Sequence, residues 1–162
     1  MKKSIAVCPG SFDPVTKGHL DIIARSSKMF EKVIVVVMSN AKKINSTSFT
    51  IEERMEMIRR ATAELPNVEV DHSEGLLAEY AAEKNAAAIV KGLRAVTDFE
   101  YEFQMALANK KMNPEVETVF LTTSAENMYL SSSMVKQIAS MGGDISDFVP
   151  EVIHSDILKR LK

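Results

Sequence analysis

The sequence predicts an α/β domain in which helices cover both faces of a doubly wound, five-stranded parallel sheet. Short apolar runs rich in β-branched residues recur along the chain, and most of them lack polar alternation. That pattern is typical of strands buried on both faces of a parallel sheet. Segments with apolar residues at helical spacing separate these runs, which predicts right-handed crossovers between parallel strands.

The strand-like runs indicate where functional residues are expected. The predicted strands cover residues 5–7, 33–37, 68–70, 88–90 and 118–121. Ligands of such sheets bind beyond the carboxyl ends of the strands, near the point where strand order reverses. We therefore look for functional residues in the loops that follow these runs.

The helix-like segments carry start and stop signals. Thr50 and Glu53 have the spacing of a capping box, which predicts that a helix begins after Thr50. Gly142 and Gly143 predict the end of a later helix, and Pro150 suits the first turn of the last one. The apolar positions at helical spacing are Ile51, Met55, Ile58 and Leu65; Leu77, Tyr80 and Ala81; Phe99, Phe103, Ala106 and Leu107; Met134, Val135, Ile138 and Ala139; and Val152, Ile153, Ile157 and Leu161.

Composition excludes several classes of protein. The chain has 162 residues, 46% hydrophobic and 26% charged, which is ordinary for one globular domain over residues 1–162. A net charge of −2 argues against an electrostatic nucleic-acid binder. The only cysteine is Cys8, which excludes an internal disulfide and a cysteine-only zinc site. No apolar run has the length of a membrane span or a signal peptide, so we expect a soluble cytoplasmic protein without a membrane partner.

The loop after the first predicted strand contains residues suited to an anion. Gly10 and Gly18 let the backbone approach a ligand closely, and a helix that starts near Gly18 aims N–H groups at it. Ser11 and His19 can each donate a hydrogen bond to a phosphate oxygen. A turn closed by prolines, with a histidine satisfied in the core, would explain the same residues.

Three other loops add cations and hydroxyls at the same edge of the sheet. Lys42 and Lys43 follow the second strand, Lys91 and Arg94 follow the fourth, and residues 131–133 form a triple serine before a helix. Cations and serine hydroxyls at a helix N-terminus suit a polyphosphate. Surface ion pairs and an ordinary serine N-cap would explain these residues without a ligand. The sequence contains neither a Walker A loop nor a G-x-G-x-x-G fingerprint.

Taken together, the loops resemble a known enzyme family. Residues 10–14, with Thr16, Gly18 and His19, resemble the first motif of the nucleotidylyltransferase superfamily in its T-x-G-H form, and residues 131–136 resemble the second. Residues 92–102 (GLRAVTDFEYE) are similar to the bacterial phosphopantetheine adenylyltransferase family. The resemblance covers essentially the whole chain and implies a Rossmann-like nucleotidylyltransferase domain.

The resemblance also implies a reaction and its partners. In that family ATP and 4′-phosphopantetheine give dephospho-coenzyme A and pyrophosphate, with Mg²⁺ as cofactor and no covalent enzyme intermediate. Dephospho-coenzyme A or coenzyme A would bind as product or inhibitor, and the chain would form a homohexamer. The helix from residue 98 to 112 has two apolar stripes, one with Phe99 and Phe103 and the other with Tyr101, Met105 and Ala108. One stripe could face the core and the other a neighbouring subunit.

Specific roles follow from the matched motifs. The resemblance implies that His19, Lys42 and Arg94 act in catalysis. It implies an ATP site made of Ser11, Phe12, His19, Gly92, Leu93, Arg94, Glu102, Asn127, Met128, Tyr129, Leu130, Ser131, Ser132 and Ser133. It implies that the acceptor contacts Ser11, Leu77, Lys91 and one of the two lysines Lys42 and Lys43, and it implies no protein ligand to a metal.

The sequence departs from the family in three places. Position 91 is lysine where the family usually has arginine, so a planar bidentate contact to the acceptor phosphate is lost. Asn127 and Met128 replace a segment that is commonly aromatic-serine, and residues 44–48 form a slightly long polar stretch suited to a flap. Two alternatives stay open: a related small nucleotidylyltransferase with another acceptor, and a non-catalytic nucleotide-binding module.

Overall fold

The computed structural model of the protein describes residues 4–39 and 46–162, and in them the predicted five-stranded sheet is present. The strands are β1 (Ile5–Gly10), β2 (Lys32–Met38), β3 (Val68–Ser73), β4 (Ala88–Leu93) and β5 (Glu117–Thr122). They lie in the order β3-β2-β1-β4-β5, and every neighbouring pair is parallel. The predicted fold class is therefore confirmed.

Six α-helices occur in the described residues. They are α1 (Lys17–Met29), α2 (Ile51–Ala61), α3 (Leu77–Glu83), α4 (Val96–Met112), α5 (Ser132–Ser140) and α6 (Glu151–Leu161), with a short 3-10 helix over Ala125–Asn127. The predicted capping box is confirmed, because Glu53 N donates to Thr50 Oγ1 at 3.2 Å and Thr50 N to the Glu53 carboxylate at 2.8 Å. Leu65 lies beyond the end of α2, and Pro150 precedes the first turn of α6 instead of lying in it.

The sheet separates two apolar clusters, which explains why the strand sequences lack polar alternation. Val33, Val35 and Val37 of β2 point to one face, where they belong to a cluster with side chains of α1, α2, α5 and α6. Ile34 and Val36 point to the other face, where they join Tyr80 and Ala81 of α3. Because both faces are buried, residues 33–38 of β2 are all apolar.

The order of the strands places a crevice at the centre of the sheet. β1 pairs with β2 on one side and with β4 on the other. The chain leaves β1 for α1 on one face of the sheet, and it leaves β4 for α4, which packs with α3 on the other. Loops that leave neighbouring parallel strands towards opposite faces open a crevice at the carboxyl ends.

Helix α4 differs from the sequence-based expectation. One of its apolar stripes was expected to face the core, but Phe99 and Phe103 of one stripe are 44% and 46% exposed, and Tyr101 of the other is 63% exposed. The phenyl rings of Phe99 and Phe103 stack on each other, with centroids 5.5 Å apart. Both stripes therefore lie on the surface of the protomer, which leaves apolar residues exposed on two sides of α4.

In residues 4–39 and 46–162, every helix is too short or too polar to span a lipid bilayer.

Candidate active site

A cavity of about 330 Å³ lies at the carboxyl ends of β1 and β4, where the crevice is expected. Ten residues selected from the sequence line it, and they come from separate segments of the chain. They are Phe12, His19, Lys91, Gly92, Arg94, Glu102, Asn127, Leu130, Ser131 and Ser132. The rest of the lining is mostly apolar or backbone and consists of Cys8, Pro9, Gly10, Thr16, Gly18, Ile22, Ile23, Val90 and Thr123.

The imidazole of His19 is held in one orientation by the start of its own helix. Thr16 caps α1, and its backbone N–H donates to His19 Nδ1 at 3.0 Å, while His19 N donates to Thr16 Oγ1 at 3.3 Å. This is a capping box in which histidine occupies the position usual for glutamate. Because Nδ1 accepts a hydrogen bond, the neutral ring carries its proton on Nε2, which is then available as a donor.

His19 is neutral at physiological pH. Burial, reinforced by the positive charge of Arg94, lowers the pKa of His19 from 6.5 to about 4. The ring of Phe12 packs edge-on against the imidazole, with centroids 5.0 Å apart. His19 is thus a fixed, uncharged hydrogen-bond donor at the wall of the cavity.

The conformation of Phe12 depends on a glycine. Phe12 has φ of +49°, in the left-handed region that non-glycine residues seldom adopt. Its ring lies over Gly10, where an added Cβ would come within 3.0 Å of two ring carbons. A glycine at position 10 therefore lets the phenyl ring pack against both the end of β1 and His19.

The N-terminus of α1 has an N–H group available for a ligand. Lys17 N donates to Phe148 O and His19 N to Thr16 Oγ1, but Gly18 N has no acceptor among the described residues. A Cβ on Gly18 would have only ordinary contacts, the nearest with Thr16 Oγ1 at 3.5 Å. Packing within the protein therefore does not require glycine at position 18. A ligand that approaches this backbone closely would require it.

The N-terminus of α5 offers a second such group of donors. Ser131 caps the helix by accepting from Met134 N at 3.2 Å. The backbone N–H groups of Ser132 and Ser133 have no acceptor within the described residues. Since Ser131 and Ser132 line the cavity together with Gly18, two helix N-termini meet at one place, which suits an extended anion.

Both cations of the β4 loop are paired with carboxylates of α4. Lys91 Nζ forms an ion pair with Glu102, and the two side chains are only 24% and 20% exposed. Arg94 Nε lies 3.3 Å from the Asp98 carboxylate, and the guanidinium also donates to Leu130 O at 2.8 Å. The Lys91–Glu102 pair is partly buried and both of its members line the cavity. The Arg94–Asp98 pair has the exposure and the i, i+4 spacing of an ordinary surface ion pair, although Arg94 itself lines the cavity.

Several residues selected from the sequence lie outside this cavity. Ser11 is exposed and lines a neighbouring cavity of about 450 Å³ with Arg54. Leu77 begins α3 and packs, half-buried, against the apolar cluster on the opposite face of the sheet. Leu93, Met128, Tyr129 and Ser133 flank the lining residues without belonging to the lining. Lys42 and Lys43 lie outside the described residues, as do Ile44 and Asn45 of the polar stretch.

Sequence reasoning missed two buried charged residues beside the site. Asp13 is 5% exposed and accepts hydrogen bonds from Ser48 N, Phe49 N and Lys136 Nζ. Arg54 is 4% exposed and donates to Ser11 O at 2.9 Å. Arg54 looks like an ordinary helix-surface charge in sequence, and the partners of Asp13 are remote in the chain, so neither had a local signal.

Comparisons with known proteins find relatives that cover nearly the whole chain. The cytidylyltransferase-like family matches residues 7–138. The phosphopantetheine adenylyltransferase of Caldanaerobacter subterraneus subsp. tengcongensis is 55% identical over 98% of this chain and 98% of its own length. That of Clostridium botulinum is also 55% identical, over 98% of both chains. The enzyme of Clostridium tetani is 54% identical over 97% of both.

The lowered pKa of His19 predicts how stability depends on pH. Between pH 6.5 and about 4 the unfolded chain takes up a proton at this imidazole that the native protein excludes, so stability is lost as pH falls through this window. Histidine-ring ¹⁵N NMR should show the His19 ring neutral, with its proton on Nε2, down to about pH 5. Urea unfolding measured from pH 8 to 4 should show the loss of stability.

His19→Gln is the matched variant for this measurement, because glutamine also completes a capping box but does not titrate. The stability difference between wild type and His19→Gln should become less favourable to wild type as pH falls from 6.5 to 4. A difference that stays constant across this range, or a His19 ring that protonates near pH 6.5, would contradict the assignment.

Proposed function

Since the chain belongs to the cytidylyltransferase-like family, and within it to the phosphopantetheine adenylyltransferases, we propose that it transfers an adenylyl group from ATP to 4′-phosphopantetheine. The products are dephospho-coenzyme A and pyrophosphate, as in coenzyme A biosynthesis. The observation that carries the proposal is the convergence, in one cavity, of two helix N-termini, two cations and a neutral imidazole donor.

Adenylyl transfer needs little covalent chemistry from the protein. An oxygen of the acceptor phosphate attacks the α-phosphorus of ATP in line with the departing pyrophosphate, without a covalent enzyme intermediate. The acceptor phosphate is already ionised at neutral pH, so it requires no general base. The protein therefore has to position two phosphate groups and stabilise negative charge on the non-bridging oxygens.

We assign to His19 the stabilisation of the transition state. A neutral imidazole can donate a hydrogen bond from Nε2 to an α-phosphate oxygen. This bond strengthens as negative charge develops on that oxygen, and the ring neither gains nor loses a proton. Its orientation costs nothing at the moment of reaction, because Thr16 already holds Nδ1 at 3.0 Å from a backbone N–H group. Gly18 N and the N-terminus of α5 would bind the remaining phosphate oxygens.

The two cations of the β4 loop would bind phosphate by exchanging partners. Lys91, paired with Glu102, would take the acceptor phosphate, and Arg94, paired with Asp98, would take the triphosphate. A lysine at position 91 acts as a point charge and does not impose the bidentate geometry of arginine. We also assign Ser11, Leu77 and one of Lys42 and Lys43 to the acceptor, and Leu93, Met128, Tyr129 and Ser133 to ATP.

The lining of the cavity fits phosphate oxygens, so Mg²⁺ would be bound chiefly through the nucleotide. The described residues contain no group of three histidine, cysteine or acidic side chains able to hold a metal. Mg²⁺ commonly reaches such sites through substrate phosphates, with few protein ligands. When bound to the triphosphate it would neutralise charge on the departing pyrophosphate, and the residues that line the cavity would hold the other oxygens.

The exposed face of α4 supports assembly into an oligomer. Phe99, Phe103 and Leu107 form one exposed apolar stripe on α4, and Tyr101 and Met105 form another, as expected where subunits meet. We propose that this face contributes to a homohexamer. Dephospho-coenzyme A or coenzyme A would occupy the same cavity as product or inhibitor, and a cytoplasmic location accords with the use of ATP.

The reaction is tested by measuring pyrophosphate release with Mg²⁺ and single nucleotide–acceptor pairs. We expect release with ATP and 4′-phosphopantetheine, and none with glycerol 3-phosphate or nicotinamide mononucleotide as acceptor or with CTP as donor. Release with a different pair would assign another nucleotidylyltransferase reaction to the same site. ATP binding without release from any pair would favour a non-catalytic module.

The role of His19 is tested by His19→Ala. We expect kcat to fall by about 10²–10³, because one preorganised donor to the transition state is lost, while the Kd for ATP changes little. Initial rates and isothermal titration calorimetry measure the two quantities separately. His72→Ala, at an exposed position of β3, is the matched control and should leave both unchanged. Equal losses in kcat and ATP affinity would argue against a transition-state role.

The role of α4 is tested by light scattering. Wild type should have six times the mass of one chain, and Leu107→Glu should lower that mass because it buries a charge in the proposed interface. Val152→Glu is the control, since Val152 is also about half exposed but lies on α6. A monomeric wild type, or equal effects of the two variants, would contradict this interface.

A further inference from the structure

A buried ion pair joins the two halves of the proposed phosphate site. The Asp13 carboxylate, in the loop between β1 and α1, lies 2.8 Å from Lys136 Nζ on α5. The Asp13 side chain is 7% exposed and that of Lys136 is 26% exposed. Neither belongs to the described residues that line the cavity, so the pair is placed behind the site.

The same carboxylate also holds the segment that leads into α2. Ser48 N donates to both carboxylate oxygens of Asp13, at 3.1 and 3.0 Å, and Phe49 N donates at 3.0 Å. Hydrogen bonds to an ionised carboxylate are stronger than those between neutral groups. One side chain thus joins the β1–α1 loop, the chain before α2 and the helix α5.

Further hydrogen bonds fix the backbone on both sides of Asp13. The Ser11 carbonyl accepts from Arg54 Nη1 at 2.9 Å, and the Pro14 carbonyl accepts from Ser132 Oγ at 2.7 Å. Ser132 and Lys136 are four residues apart on α5, so the first two turns of this helix both contact the loop. The position of α5 relative to the loop is therefore determined at two points.

These contacts determine how the ligand-facing groups lie relative to one another. Phe12 and His19 belong to the loop and α1, whereas the free N–H groups of Ser132 and Ser133 belong to α5. A buried carboxylate that loses its cation, or a cation that loses its carboxylate, is strongly disfavoured, so the loop and α5 resist separation. Transfer rates are sensitive to displacements of about 1 Å between such groups.

We propose that Asp13 is a positioning residue for adenylyl transfer, which acts through Lys136 and through the backbone of residues 48–49. The proposal rests on the proposed function, because it concerns the rate of that reaction. Asp13 does not belong to the lining of the cavity. Its carboxylate keeps the N-termini of α1 and α5 at the separation that places His19 and the α5 N–H groups on one phosphate chain.

Three substitutions test the kinetic role. Asp13→Asn keeps the shape but removes the charge, Lys136→Met removes the cation, and Lys136→Arg keeps it. We expect Asp13→Asn and Lys136→Met to lower kcat by about 10- to 100-fold, with the Kd for ATP within about threefold of wild type. Lys136→Arg should retain kcat within about threefold, a rescue that follows from preserving the ion pair.

The double variant Asp13→Asn/Lys136→Met tests whether the two residues act as a unit. Its kcat should be no lower than that of the more impaired single variant, because either change already breaks the pair. Lys32→Met is the matched control, since it removes another lysine–carboxylate pair, with Glu69 at 2.8 Å, at the amino end of β2. It should leave kcat unchanged.

A second measurement does not depend on activity. Ring ¹⁵N signals of His19 should shift or broaden in Asp13→Asn and Lys136→Met but not in Lys32→Met, because only the first two release the loop that carries Phe12. Far-ultraviolet circular dichroism at the assay temperature establishes that each variant is folded. If wild type fails to release pyrophosphate with 4′-phosphopantetheine, the proposed function fails, and these spectra still decide whether Asp13 positions His19.

Three results would overturn the proposal. The first is an unchanged kcat and an unchanged His19 spectrum in Asp13→Asn. The second is a Lys136→Met variant that loses ATP affinity by more than about tenfold while Asp13→Asn does not, since Lys136 would then contact phosphate directly. The third is a double variant whose losses multiply, which would show that the two residues act independently.

Discussion

The site depends on the adjacency of β1 and β4, which run in the same direction at the centre of the sheet. Their carboxyl ends open at one edge, so loops that are far apart in the chain meet there without any long connection. The N-terminus of α1 follows the loop after β1, whereas Lys91 lies near the end of β4 and Arg94 lies just beyond it. The hydrogen bonds and ion pairs at the site then orient side chains that this adjacency has already brought together.

The site is close to charge balance before any ligand binds. Glu102 and Asp98, four residues apart on α4, are paired with Lys91 and Arg94. His19 is uncharged because burial, and to a smaller extent the positive charge of Arg94, lowers its pKa. Such pairing avoids the cost of holding isolated charges in a partly buried cavity. In the proposed reaction, phosphate groups would compete with these two carboxylates for Lys91 and Arg94.

Helix α4 links this chemistry to the surface of the protomer. Asp98 and Glu102 face the β4 loop, whereas Phe99 and Phe103, one residue further along in each turn, are exposed. The carboxylates that hold the cations are thus on the same helix as the apolar face. The expectation that one stripe would be buried was wrong, because a helical pattern shows which residues share a side but not what covers that side.

Local sequence patterns predicted the strands, the capping box at Thr50 and the segments that carry His19, Lys91, Arg94 and the triple serine. Those features depend on local periodicity or on residues a few positions apart, which one chain segment displays in full. Three features depend on tertiary contacts: which loops meet, the neutral state of His19, and the burial of Asp13 and Arg54. Burial and pairing depend on groups that folding brings together from distant segments, as with Asp13 and Lys136, and no local pattern encodes them.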